Sequence, residues 1–292
     1  YGWRVGRKPN SVFDVAWYID RYSSLIPDDT DPLSHYATVG VRQGLKPHAL
    51  FDPEWYAQTY REVAEAGVDP LADFLARGGR EGRNPNPLFD SAWYRREYPD
   101  VDAAGMIPFL DFITGGAAAG RRPNPLFDCI WYSDTYHNLG LAPVDTLTHY
   151  LDAGGFEGRK PTPLFDSGYY LKRYPDVAAT GINPLVHYLE HGIRDGRFPN
   201  PLFDTGHYLR RNLDIAQGGI NPLDHYHRHG GREGRDPSEI FSSSWYLKTY
   251  RNVAERQINP LEDYLTEGRE VGRNPHPLFD DAYYSALYPD VA

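Results

Sequence analysis

The chain has 292 residues, 40% of them hydrophobic, and its 40 acidic and 30 basic side chains give a formal net charge of −10. So acidic a chain is not expected to bind nucleic acid as its main partner, because phosphate recognition needs a basic face. Its single cysteine, Cys129, excludes an internal disulfide framework, and no apolar run is long enough to predict a membrane span.

A 38-residue period runs through the sequence, and positions are numbered here from the phenylalanine that opens each copy. This phenylalanine recurs without insertion or deletion at Phe13, Phe51, Phe89, Phe127, Phe165, Phe203, Phe241 and Phe279. The period predicts seven complete copies at 13–50, 51–88, 89–126, 127–164, 165–202, 203–240 and 241–278, with partial copies at 1–12 and 279–292. Because the chain begins and ends in mid-copy, we expect it to be part of something longer.

Copy 5, residues 165–202, shows the predicted elements in order. Asp166 is expected to cap a first short helix, since its carboxylate can accept the free N–H groups of a first turn. Pro175 then ends that helix and opens a second helical turn. Asn183 followed by proline predicts the start of a third helix, on which Leu185 begins an i, i+3, i+4 apolar face.

Helices this short are not stable alone, so each must bury its apolar face against a neighbouring copy. The predicted fold class is therefore all-α: a solenoid of seven stacked 38-residue repeats with connectors rich in proline and glycine. No linker or domain boundary is expected between residues 13 and 278.

Two charged positions recur and predict a structural ladder between copies. An arginine seven residues before the aspartate at position 2 could donate to that aspartate or to helix carbonyls, with anion binding as the alternative. Leu45 and Ser242 are the exceptions to this pattern. The predicted ladder comprises Asp52, Asp90, Asp128, Asp166 and Asp204 with Arg83, Arg121, Arg159, Arg197, Arg235 and Arg273.

Two histidine pairs break the symmetry of the copies. His187 and His191 lie four residues apart on one predicted helix, as do His225 and His229 one copy later. This spacing places two imidazoles on one face, which suits a zinc or nickel ion. The alternative is a hydrogen-bonding role at the start of the third helix, because aspartate replaces the first histidine of the pair in other copies.

A basic stripe is the second departure from symmetry. Basic residues recur near the end of the first helix, so in a stacked array they would lie on one face. They either balance nearby acids on a solvated surface or form a docking strip for an anionic partner. The candidate ligand-binding residues are Arg95, Arg96, Lys172, Arg173, Arg210, Arg211 and Lys248.

No catalytic constellation is recognisable in the sequence. Motifs for a serine nucleophile, a metalloprotease, a P-loop or a dinucleotide site are absent, and Cys129 is expected to serve packing. We therefore predict a non-enzymatic protein with no catalytic residue and no cofactor.

The repeat motif resembles one found beside glycosyltransferase and rhamnan-synthesis-type domains of bacterial polysaccharide biosynthesis proteins, and in some large secreted bacterial proteins. The matching segments are 98–101 (YPDV), 174–178 (YPDVA) and 183–189 (NPLVHYL). The resemblance covers essentially the whole chain and implies a bacterial source and a link to surface polysaccharide. It carries over no catalytic residue, since the transferase chemistry belongs to other domains.

The leading functional hypothesis is a repeat scaffold, a segment of a larger bacterial protein, that binds a protein or polysaccharide partner along its length. The alternative is a structural repeat that associates head to tail with itself into an extracellular filament or array. A weaker alternative is an accessory module of a glycosyltransferase. The expected compartment differs between these hypotheses. A module beside a glycosyltransferase would be cytoplasmic, whereas a filament or secreted protein would be extracellular or at the cell surface.

Overall fold

The computed structural model describes residues 9–280 together with Tyr283 and Leu287, and within them it is helical with no extended strand. The predicted all-α class is confirmed. None of the described helices has the length and apolar character needed to cross a bilayer. Isolated antiparallel bridges join position 36 of a copy to the next phenylalanine, in the pairs His48–Phe51, Asn124–Phe127, Thr162–Phe165, Asn200–Phe203 and Ser238–Phe241.

The first helix of each copy begins directly after position 2, as predicted. The carboxylate of Asp166 accepts a hydrogen bond from the amide of Tyr169 at 2.8 Å, which satisfies a free N–H of the first turn. Ser242, at the same position in copy 7, forms no capping bond with its side chain. The first helices are Val15–Tyr22, Pro53–Thr59, Ser91–Glu97, Cys129–Thr135, Ser167–Arg173, Thr205–Arg211 and Ser243–Thr249.

A second, shorter helical segment follows position 10. It is α-helical in five copies and a 3-10 turn in copies 1 and 4. The segments are Ser23–Leu25, Arg61–Glu65, Pro99–Ala103, His137–Leu139, Pro175–Thr180, Leu213–Gln217 and Arg251–Glu255.

A third helix begins with the proline at position 20, except in copy 4, where Thr146 replaces this proline and the helix begins three residues earlier. These helices are Pro32–His35, Pro70–Asp73, Pro108–Asp111, Pro143–His149, Pro184–His187, Pro222–His225 and Pro260–Asp263. Each continues into a π-helical turn, at Tyr36–Gly40, Phe74–Gly78, Phe112–Gly116, Tyr150–Gly154, Tyr188–Gly192, Tyr226–Gly230 and Tyr264–Gly268. Short turns also occur at Val41–Gln43 and Gly79–Glu81.

Three aromatic rings form the centre of each copy, at positions 1, 6 and 24. In copy 5 the rings of Phe165, Tyr170 and Tyr188 are fully buried, with centroids 5.5–6.0 Å apart. Such tilted and edge-on contacts are the arrangements that aromatic pairs prefer. The glycine that ends the π turn makes room for this centre, because a Cβ at Gly192 would lie only 2.4 Å from the Tyr170 hydroxyl.

Buried asparagines join neighbouring copies. The side-chain amide of Asn200 donates to the carbonyl of Leu164 in the preceding copy at 2.8 Å, and that of Asn183 donates to the carbonyl of Tyr150 at 2.9 Å. Asn86 and Asn124 repeat the first of these bonds. Since buried carbonyls need a donor, these bonds fix the register between successive copies.

The chain divides into two compact units, Tyr1–Thr148 and His149–Ala292. The period did not predict this boundary, which lies inside the helix Pro143–His149 of copy 4 and not in a connector. Within the first unit, copies that are not adjacent in sequence also meet, since the rings of His48 and Phe109 lie 5.9 Å apart.

We expect Asn200→Ala to lower the free energy of unfolding by about 1–3 kcal/mol, because the buried carbonyl of Leu164 loses its donor. Urea unfolding followed by circular dichroism measures the change. Asn252→Ala is the matched control, since Asn252 is exposed and forms no side-chain hydrogen bond in the described structure. Equal stabilities for the two variants would contradict the assigned role of Asn200.

Candidate functional site

A buried tyrosine at position 6 organises the polar interior of each copy. Its hydroxyl bonds to the residue 17 positions later, which is aspartate in some copies and histidine in others. The hydroxyl of Tyr56 donates to Asp73 at 2.7 Å, whereas that of Tyr170 pairs with Nδ1 of His187 at 3.0 Å. The described pairs are Tyr18–His35, Tyr56–Asp73, Tyr94–Asp111, Tyr170–His187, Tyr208–His225 and Tyr246–Asp263.

Where position 23 is aspartate, the arginine at position 33 completes the cluster. Arg83 donates to Asp73 at 3.0 Å and Arg121 donates to Asp111 at 3.1 Å, and Arg273 contacts Asp263 in the same way. Burial opposes ionisation of Asp73, but hydrogen bonds from Arg77 and Tyr56 and the charge of Arg83 hold its pKa below the ordinary value. The buried carboxylate is therefore ionised and compensated.

Where position 23 is histidine, the arginine keeps the pair with the acid at position 12, which it also forms in copies 2 and 3. Arg197 donates to Asp176 at 2.7 Å, and Arg235 donates to Asp214 at 2.9 Å. Burial lowers the pKa of His187, and the positive charge of Arg197 lowers it further, so the neutral imidazole is favoured. Burial and Arg235 act in the same way on His225.

The predicted partner of the ladder arginines was wrong, because they bind acids at positions 23, 31 or 12 and not the aspartate at position 2. Position 2 pairs instead with position 34, as Lys46–Asp52 and Lys160–Asp166 at 3.1 Å and as Arg122–Asp128. In each of these three aspartates Oδ1 caps the helix and Oδ2 contacts the cation, so the two roles use different oxygens. The ladder residues Asp52, Asp90, Asp128, Asp166 and Asp204 are thus caps, while Arg83, Arg121, Arg159, Arg197, Arg235 and Arg273 face Asp73, Asp111, Glu157, Asp176, Asp214 and Asp263.

The same pairing explains the exception at Ser242. Position 34 of the preceding connector is Asp236, whose carboxylate accepts a hydrogen bond from the amide of Ser243 at 2.8 Å. A second carboxylate at position 242 would face Asp236 and be repelled. The connector aspartate therefore supplies a capping bond that Ser242 does not provide.

The two histidine pairs are not assembled into a metal site. Nδ1 of His187 and of His225 is engaged by a tyrosine hydroxyl, which leaves one free nitrogen on each ring. The ring centroids of His187 and His191 are 5.4 Å apart, and those of His225 and His229 are 5.8 Å apart. No group of three or more metal-ligating side chains occurs in the described part of the chain. The geometry favours the hydrogen-bonding alternative for the first histidine of each pair.

The predicted basic residues divide into two groups. Arg95 in the first unit is used structurally, since its guanidinium donates to the carbonyl of Arg80 at 2.7 Å, while Arg96 is exposed. In the second unit the guanidinium carbon of Arg173 lies 4.6 Å from the centroid of the Phe198 ring. The second-unit residues, named here the cationic surface, are all exposed: Lys172, Arg173, Arg210, Arg211 and Lys248.

Cys129 is buried, and burial raises the pKa of its thiol to about 12. A thiol with so high a pKa is protonated at neutral pH and is a poor nucleophile. Its placement against the third helix, where Thr146 contacts it, agrees with the predicted packing role.

Comparison with known proteins gives no relative: no family model, no curated protein and no solved structure matches the chain.

The dependence of position 23 on position 33 is testable with matched aspartate variants. His187→Asp places a carboxylate beside Arg197, so we expect its stability to stay within about 1 kcal/mol of the wild type. His35→Asp places one in copy 1, where Leu45 occupies the arginine position, and an uncompensated buried charge costs about 3–5 kcal/mol. Urea unfolding distinguishes the two, and equal losses would refute the coupling.

The free energy of unfolding should depend on pH through His187 and His225. The pKa values of His187 and His225 are lowered in the folded chain, whereas an unfolded imidazole binds its proton near pH 6.5. The unfolded state thus takes up more protons, so this stabilisation is present above about pH 6.5 and is lost as the pH falls through the lowered folded pKa. Urea unfolding at neutral and mildly acidic pH should show a smaller loss for the double variant His187→Asp/His225→Asp. An unchanged pH dependence would show that these imidazoles are not responsible.

Proposed function

We propose that this chain is a non-catalytic helical-repeat scaffold that binds an anionic partner through the cationic surface of its second unit. The proposal rests on a difference between two groups of basic side chains, of which one forms ion pairs within the chain and the other does not. The recurring arginines at position 33 are committed to buried or neighbouring acids. In contrast, Lys172, Arg210, Arg211 and Lys248 are exposed and form no ion pair in the described structure.

Three of these cations occupy the same place in successive copies. Lys172, Arg210 and Lys248 all lie at position 8, on the last turns of the first helices of copies 5, 6 and 7. Equivalent positions at a constant period suit a partner that also presents charge at intervals, such as an acidic polymer. Because the chain as a whole is acidic, this local excess of positive charge would orient such a partner.

The scaffold role includes the proposal that successive copies stack as a solenoid. Within each unit, neighbouring copies are joined by the asparagine bonds and by pairs such as Tyr188–Thr205 and Tyr226–Ser243, with oxygens 3.1 and 2.9 Å apart. Such nearest-neighbour contacts are what the stability of a linear repeat array rests on. The resemblance to repeats of polysaccharide biosynthesis proteins makes an acidic polysaccharide the preferred partner.

Self-association is the second candidate, and exposed apolar side chains favour it. At position 38, Leu50, Leu88 and Leu126 are 1% exposed, whereas Ile240 and Leu278 are 57% and 90% exposed. A second copy of the chain could cover these two apolar side chains. Sedimentation velocity over a concentration series tests this, and a monomer at every concentration would remove the candidate.

Polymer binding tests the leading proposal. We expect fluorescently labelled polygalacturonate to bind the chain, and Lys172→Ala/Arg210→Ala/Lys248→Ala to weaken binding about tenfold, since three contacts worth about 0.5 kcal/mol each are removed. Fluorescence anisotropy titrations at low and physiological salt measure the affinity. A parallel titration with polyglutamate tests whether the partner is an acidic protein instead of a polysaccharide.

The control is Arg251→Ala/Arg256→Ala/Arg269→Ala, which makes the same change in net charge at exposed cations outside the cationic surface. Equal weakening by the two triple variants would show attraction by overall charge and no defined surface. Absence of binding to both polymers would remove the proposal.

A further inference from the structure

A cavity of about 480 Å³ opens in the second unit, between the first helix of copy 6 and the connectors of copies 6 and 7. Its size is in the range of small-molecule sites and exceeds what a lone ion requires. The side chains that matter for its chemistry are His207, Arg211, Asn212, Asp236, Ser238 and His276.

The cavity exists because copy 6 departs from the other copies at places that line it. Position 5 is His207 where the other complete copies have tryptophan or tyrosine, and position 10 is Asn212 where they have tyrosine. In copy 7 these two positions are filled by the rings of Trp245 and Tyr250, packed edge to face at 6.0 Å. Ser238 at position 36 is likewise smaller than Asn200 one copy earlier.

The same replacements remove hydrogen-bond acceptors and leave donors behind. The hydroxyl of Tyr174 accepts the amide of Phe198 at 2.8 Å, but Asn212 provides no such hydroxyl in copy 6. The structure accordingly gives the amide of Asp236 no acceptor among the described residues. The hydroxyl of Ser238 is also buried with no partner among the described residues, as is that of Thr162 at the same position of copy 4, whereas most buried polar groups have one.

One guanidinium and two imidazole side chains face the same space. Arg211 forms no ion pair in the described structure, and His207 lies one helical turn before it. His276 uses Nδ1 to accept the amide of Leu278, which leaves its Nε2 available. Two acids also line the cavity: Asp236, whose carboxylate is engaged by the amide of Ser243, and Glu239, which is exposed at the rim.

We propose that this cavity binds a small organic molecule through an oxyanion, either a phosphate monoester or a carboxylate. A guanidinium, a main-chain amide, a hydroxyl and imidazole N–H groups are the donors that recognise such a group. Arg211 carries the charge, and the amide of Asp236 and the hydroxyl of Ser238 regain the partners that they lack. This inference goes beyond the scaffold role. Arg211 also belongs to the cationic surface, but the scaffold role is tested through Lys172, Arg210 and Lys248, which do not line the cavity.

Isothermal titration calorimetry on the full chain tests the site with three probes: glucose 6-phosphate, glucuronate and neutral glucose. We expect one or both acids to bind at millimolar concentration or below and glucose to bind at least about tenfold more weakly. Preference for glucose 6-phosphate identifies a phosphate ligand, and preference for glucuronate identifies a carboxylate ligand.

Two variants make the test specific to the cavity. Arg211→Ala should weaken binding about tenfold or more, whereas Arg256→Ala, at an exposed arginine outside both the cavity and the cationic surface, should leave it unchanged. His207→Trp/Asn212→Tyr/Ser238→Asn restores the side chains of other copies, so it should abolish binding while unfolding at the same or higher urea concentration. Absence of binding by both acids, equal binding of glucose, or unaltered binding to either cavity variant would overturn the proposal.

Discussion

The hydroxyl of the tyrosine at position 6 is the polar group on which each copy depends. Burying this ring contributes a large apolar area, but the hydroxyl must then find a partner inside the protein. The third helix supplies it 17 residues later, so the bond ties the first helix to the third. The glycine that ends the π turn is a consequence, because the hydroxyl approaches the backbone where a Cβ would stand.

The choice of acceptor then determines the surrounding charges. An aspartate must be compensated, and Arg83, Arg121 and Arg273 provide the positive charge. A histidine brings no negative charge to this position, so copy 1 can combine His35 with Leu45. In copy 5 the arginine keeps only its pair with the acid at position 12, a pair that copies 2 and 3 form in addition to the bond to position 23. The requirement of this hydroxyl for a partner thus accounts for the alternation of aspartate and histidine, and for whether the recurring arginine also binds position 23.

Much of this architecture could be predicted from the sequence, because it depends on spacing. The phenylalanine period, the cap at Asp166 and the helix starts at proline all follow from local backbone rules. The partner of each arginine could not be predicted in the same way, since position 33 lies close in sequence to one aspartate and close in space to another. The coincidence of His35 with Leu45 was the one signal in the sequence that connected positions 23 and 33.

The division into two units was also not predicted from the sequence, because the 38-residue period runs through the boundary without insertion or deletion. In copy 6 the unusual residues are visible in the sequence, but only the structure shows that they lie together. His207, Asn212 and Ser238 are scattered along 32 residues, and each alone is a tolerable loss of packing. Since they meet at one cavity and expose donors there, their combined effect is a polar recess, which a copy selected for stacking alone would fill.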